Sequence, residues 1–177
     1  TSFGGQTDVE TFDITLSNVN EGPVLTVANQ TAIDENSVAG TAIADLNVAD
    51  PDAGDTVTYT LSGADSALFE VVSGQLRVAT GADIDFEEGP TRTVTVTVED
   101  GGSLTDTVTL TVAVNDLNDE SPDLTVVNKS PIAENSPAGT IAATFSATDA
   151  DAGDSLTYSL SGPDSGRFEI IGGSVVF

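Results

Sequence analysis

The chain has 177 residues and sets 29 acidic side chains against 4 basic ones, for a formal charge of −25. Four basic residues cannot neutralise a phosphate track, which excludes nucleic acid as a partner, and the lack of Cys and His excludes disulfides, thiolate metal sites and imidazole catalysis. At 38% hydrophobic the chain is too apolar for an acidic disordered segment, so it is expected to fold, with bound cations relieving its self-repulsion.

The chain opens at Thr1 with no initiator Met and no leader, and reads as an internal piece of a longer protein. No apolar run approaches the roughly 18 residues of a membrane span, so no membrane insertion is expected. Phe12, Ile14 and Leu16 alternate with polar residues as Leu110, Val112 and Val114 do later. Residues 1–17 are therefore expected to be the last strand of a preceding unit. Residues 18–23, polar and closed by Pro23, read as a linker.

From there the period is two, the mark of half-buried strands. Strands are expected near 24–34, 40–50, 56–61, 68–73, 75–79, 91–99 and 104–114. Thr93 to Val98 and Thr107 to Val114 alternate most cleanly, with Thr toward water and Val or Leu toward a core. Turn signals separate them, among them Ala39-Gly40, Ser62-Gly63, Ser73-Gly74 and Gly101-Gly102. Seven short strands so punctuated predict an all-β, immunoglobulin-like sandwich over 24–115. Residues 116–122 form a second polar linker closed by Pro122, and 123–177 supply the first five strands of a following unit.

The division into units rests on a repeat. Ile33-Asp34-Glu35-Asn36-Ser37 returns 99 residues later as Ile132-Ala133-Glu134-Asn135-Ser136, and Asp50-Pro51-Asp52-Ala53-Gly54-Asp55 as Asp149-Ala150-Asp151-Ala152-Gly153-Asp154. Tyr59 returns as Tyr158 and Phe69-Glu70 as Phe168-Glu169. A shared period over about sixty positions marks tandem copies of one unit.

The repeated carboxylates suit a hard cation. Calcium takes six to eight oxygen ligands, more than any short segment here offers. Four separated segments could supply them if the fold gathers them at one end of a sandwich: Glu35, the pair Asp85 and Glu87, the linker Asp116-Leu117-Asn118-Asp119, and Asp149-Ala150-Asp151. The period of two puts both carboxylates of Asp-x-Asp or Asp-x-Glu on one side of an extended chain. The same geometry, with no Trp to line a sugar cleft, argues against a glycosidase, and no enzyme activity is expected. Glu88, Glu99 and Asp106 read as solvated surface, and Phe12, Phe69, Phe145 and Phe168 as core. Asn29-Gln30-Thr31 and Asn128-Lys129-Ser130 match the N-glycosylation pattern, a short and weak signal.

Five ordered motifs carry a family resemblance: Glu35-Asn36, Asp85-x-Glu87, Asp116-x-Asn118-Asp119-x-x-Pro122, Asp149-x-Asp151, and Asp100 in Val98-Glu99-Asp100-Gly101-Gly102. With them the chain resembles tandem cadherin repeats of the bacterial surface-protein kind. The resemblance implies Ca2+ held between successive repeats. The junction near 119 would take Glu35, Asp85, Glu87, Asp116, Asn118, Asp119, Asp149 and Asp151. The upstream junction would take Asn18, Asn20, Glu21, Asp50, Asp52 and Asp100. That linker is one residue shorter, and Asn18 stands where Asp116 stands downstream, so at most one weaker ion is expected there.

The implied function is that of an extracellular, cell-surface stalk or adhesin segment stiffened by calcium. Its expected partners are the neighbouring repeats, with head-to-tail or lateral self-association. Two alternatives are a calcium-dependent glycan-binding module and a subunit of a strand-donating filament.

Overall fold

The computed structural model describes residues 4–5, 8–52 and 54–177. Its strands are β1 (Val24–Ala28), β2 (Ile33–Asp34), β3 (Ala42–Ala49), β4 (Thr58–Ser62), β5 (Phe69–Val72), β6 (Gln75–Val78), β7 (Thr91–Glu99), β8 (Thr105–Asn115), β9 (Asp123–Lys129), β10 (Ile141–Thr148), β11 (Glu169–Ile171) and β12 (Ser174–Val176). Two single-turn 3-10 segments, Ser66–Leu68 and Ser165–Arg167, occupy matching places in the two copies.

The first copy is a closed sandwich. One sheet runs β1-β3-β6-β5, the other β2-β8-β7-β4. Between them lie Leu25, Ile43, Leu46, Phe69, Leu76, Val78, Ile84, Val94, Val96, Val98, Leu110 and Val112, all buried. β7 shows the expected alternation, with Val94, Val96 and Val98 inside while Thr91, Thr93 and Glu99 face water. Gly74 closes the β5–β6 hairpin at φ +73, and a Cβ there would stand 3.3 Å from the Leu46 carbonyl oxygen, so both backbone conformation and space call for glycine.

The strand expected over 24–34 is two strands in different sheets. β1 pairs antiparallel with β3, while β2 pairs parallel with β8. The break falls at Asn29, which adopts φ 53 and donates from Nδ2 to Asp45 Oδ2 at 2.6 Å. Asn tolerates this left-handed conformation, and its amide anchors the crossing. The crossing delivers Ile33 to the core and Glu35 to the end of the second sheet.

The second copy is a single sheet, β11-β12-β10-β9, the counterpart of β5-β6-β3-β1. Its inner face is open. Leu124, Val126, Phe145, Tyr158, Leu160 and Val175 line a cleft of about 380 Å³ where the first copy packs its second sheet. Residues 157–161, matching β4, form no strand, because β4 is built by pairing with β7 and no equivalent lies alongside. Of residues 1–17, expected as a last strand, 4–5 and 8–17 form none and 1–3, 6 and 7 lie outside the described residues; Phe12, Ile14 and Leu16 are 80%, 79% and 94% exposed. Alternation prepares that segment for a sheet, but among the described residues no strand pairs with it. Phe12 is thus not core, whereas Phe69 is.

Candidate metal centre

The downstream junction gathers its groups from three directions. Glu35 follows β2 and is 2% exposed. Its carboxylate accepts the N–H of Phe86 at 2.8 Å and of Leu117 at 2.5 Å, binding the 84–87 loop and the linker to one side chain. These backbone donors, Phe86 first, hold its pKa below the ordinary carboxylate value. Asp85 Oδ1 accepts the N–H groups of Glu87 and Glu88, so this carboxylate shapes the turn that presents Glu87.

Arg92 holds the same loop from beneath. It is 4% exposed in a core-facing register of β7, and it donates to the carbonyls of Gly89, Thr91 and Asp85. The period-two pattern gives no hint of a cation at this position.

Glu87 is the hinge of the arrangement. It shares one group with Glu35 and Asp119, and another with Asp116 and Asp151; in each, ligand atoms lie within 4.8 Å of one another. The repeat, the linker and the following copy thus contribute to one continuous site. The Glu87 carboxyl is pushed up to about 7, first by partial desolvation, then by Asp85 and Glu35 beside it. Asp151 is 5% exposed and accepts the N–H of Glu120 at 3.2 Å. Burial raises its pKa more than these long backbone bonds lower it. Asp119 accepts from the Asn36 amide. Asn118 donates to Asp154.

The donor set fits calcium. It is all oxygen, and among the described residues neither ion pair, Arg92–Glu88 nor Arg167–Asp164, supplies a cation to the junction. Asp116 Oδ2 accepts the N–H of Ala152 at 2.6 Å, while its Oδ1 is buried with no hydrogen-bond partner. A buried carboxylate oxygen facing other carboxylates is costly unless a cation meets it.

Upstream the parts divide. Asp50, Asp55 and Asp100 form a group, and Asp50 Oδ2 is buried without a partner. Asp52 stands outside it. Glu21 N–H donates to Asp52 Oδ2 at 2.6 Å and the Asn18 amide to Oδ1, which together hold the Asp52 pKa low. Glu21 meets Asp52 through its backbone N–H and also through its side chain, which adds to the lowering of the Asp52 pKa. Asn20 donates to Asp100 Oδ2 at 3.0 Å, and Asp100 Oδ1 accepts from Gly102 and Leu104.

Asp149 groups with Asp151 and Asp154. Asp55 and Asp154 are the residues that sequence reasoning passed over. Both end the repeated six-residue string, and a carboxylate kept at the same place in both copies was the available signal. Asp106 is not free surface either. It is half-buried and accepts the N–H of Leu25 at 2.8 Å, tying β1 to β8.

Comparison with known proteins decides the family. Residues 29–115 match the profile of the cadherin domain. Residues 29–115 are a cadherin domain. Human protocadherin gamma-A11 is 32% identical over 129 residues, covering 70% of this chain but 14% of the relative. Mouse protocadherin Fat 4 is 34% identical over 169 residues, covering 89% of this chain and 3% of the relative. The chain thus spans a small fraction of these proteins. Among solved structures, mouse cadherin-23 domains EC22-24 superpose with a TM-score of 0.72 at 27% identity, over 88% of this chain and 53% of that one. Human protocadherin-24 EC1-2 gives 0.65 at 28% identity, over 89% and 77%.

Proposed function

We propose that this chain is an extracellular segment of an adhesion protein, in which calcium at the 116–122 junction locks a cadherin domain to the unit that follows. The observation that carries the reading is Glu87, shared by two carboxylate groups that between them draw on the domain, the linker and the next copy. Without a cation the five carboxylates of these groups repel, and the linker swings. With calcium the same oxygens share ions, and the two units move as one.

The reading extends to a stalk or fibre of such units on a cell surface. The bacterial setting rests on resemblance alone, since the relatives named above are mammalian. Self-association is part of the proposal. A related solved structure, protocadherin gammaB7 EC3-6, is described as a cis-dimer.

Extracellular modules of this kind bind calcium at roughly 0.1–1 mM. At ten- to a hundredfold excess, one site would stabilise the folded form by about 1.4–2.7 kcal/mol. The test is X-ray scattering and thermal melting of the chain in calcium and in EDTA. The expected result is a longer maximum dimension and a higher Tm in calcium. Equal values in both would sink the reading.

A further inference from the structure

The two linkers present the same carboxylate to the same neighbours in different ways. Asp52 and Asp151 occupy one place in the repeat, 99 residues apart, and both are more than nine-tenths buried. Asp151 meets the downstream linker only through backbone N–H groups, at 3.2 Å and 3.5 Å. Asp52 meets the upstream linker through the Glu21 N–H at 2.6 Å and through the Asn18 side-chain amide. Where Asn18 stands upstream, Asp116 stands downstream, its carboxylate grouped with that of Asp151 and one of its oxygens buried without a partner.

We propose that Asn18 and Asn20 form an amide latch that holds the upstream linker against its domain without a cation. Each amide covers one carboxylate that a cation would otherwise have to neutralise. Asn18 covers Asp52, and Asn20 covers Asp100 at 3.0 Å. An amide N–H on a carboxylate is a charge-assisted bond, stronger than a neutral one. Together with the Glu21 N–H, the two amides engage both oxygens of Asp52 and one of Asp100; the other oxygen of Asp100 is held by Gly102 and Leu104.

Gly102 makes the approach of Asn20 feasible. A Cβ at Gly102 would lie 2.4 Å from the Asn20 side chain. Asp100 also belongs to the group Asp50, Asp55 and Asp100, so a cation entering there meets Asp100 with both oxygens already hydrogen-bonded, and the linker does not depend on it. Latch and cation compete at Asn18. A metal ion would need the amide turned over, Oδ1 inward, which breaks the bond to Asp52. The latch goes beyond the calcium reading of the downstream junction and does not need it to be right.

Hydrogen exchange on the full chain, with calcium alone as the metal or with EDTA, tests the latch. The Glu21 amide should stay equally protected in both, while the Glu120 amide loses protection in EDTA. An N18A/N20A variant should lower Glu21 protection about tenfold in EDTA, the scale of charge-assisted bonds. An N18D variant should make Glu21 protection depend on calcium. The latch is overturned if wild-type Glu21 loses protection in EDTA as Glu120 does, if N18A/N20A leaves it intact, or if N18D is insensitive to calcium. If Glu120 is indifferent to EDTA while N18A/N20A still loosens Glu21, the calcium reading falls and the latch stands.

Discussion

The loops 50–55 and 149–154 are near copies, yet one belongs to a closed domain and the other to an open sheet. Around the first, Val94, Val96 and Leu76 are sealed between two sheets, and Asp52 is tied down by an amide. Around the second, Leu124 and Val126 are 58% and 44% exposed, and Asp151 faces Glu87 and Asp116. Glu35 shows the same divide. It is 2% exposed, whereas its counterpart Glu134 is exposed, because no loop like 84–87 and no linker reach over it. A repeated string fixes what a residue can do; the elements packed around it decide whether it becomes a ligand, a latch or a surface charge.

Core truncation breaks the comparison most sharply. Leu76 has no exposed surface, and Val175, at the same place in the second copy, lines the open cleft. L76A should destabilise the first domain by about 3 kcal/mol, the usual cost of a cavity in a closed core. V175A should cost less than about 1 kcal/mol, since its site is already open to water and leaves no sealed cavity. Urea denaturation followed separately in each unit measures both. Equal losses would mean that the second sheet's inner face is covered in solution.

Exchanging linker chemistry has the next largest effect. D116N gives the downstream linker the upstream residue. It removes the negative charge of a side chain grouped with Glu87 and Asp151. Calcium affinity at that junction should fall about tenfold, because ligand charge sets affinity in such sites. Calorimetric titration of both proteins checks it, and an unchanged affinity would remove Asp116 from the ligand set.

Much of this could be read without coordinates, and what could not has physical causes. The alternation from Thr93 to Val98 placed β7 because each face meets a different medium over its length. The sheet crossing at Asn29 was hidden because Ala32 and Ile33 resume the apolar pattern after the short polar run Asn29-Gln30-Thr31, and nothing in the pattern marks a single left-handed Asn. Arg92 sits where the alternation calls for an apolar side chain, its donors spent on the carbonyls of Asp85 and Gly89 in the preceding loop and of Thr91 beside it. The ordered carboxylates pointed to Glu35, Glu87, Asp116, Asp119 and Asp151, which the structure groups. They could not reveal that the Glu21 N–H meets Asp52 or that Asp85 accepts from its own turn, since both are matters of direction and not of residue type.

The smallest effect is one of pH, and it sets two residues apart, Glu87 downstream and Asp52 upstream, by the sign of their shifts. Glu87 is raised to about 7 from an ordinary 4.5, and Asp151 is also raised. A folded group that holds its proton more tightly than the unfolded chain adds stability that is complete below 4.5 and is lost as pH rises through about 7. Asp52 is lowered, so its contribution is present above its ordinary 3.8 and is lost only as pH falls below it. Over pH 5 to 7.5, therefore, the contribution of Asp52 is constant and that of Glu87 is not. In EDTA the Tm should be higher at pH 5 than at pH 7.5. In calcium the order should reverse, because protons and the cation compete for Glu87. E87Q should flatten both trends. A pH response that survives E87Q would place the shared proton on another carboxylate of the cluster and leave Glu87 as an ordinary surface charge.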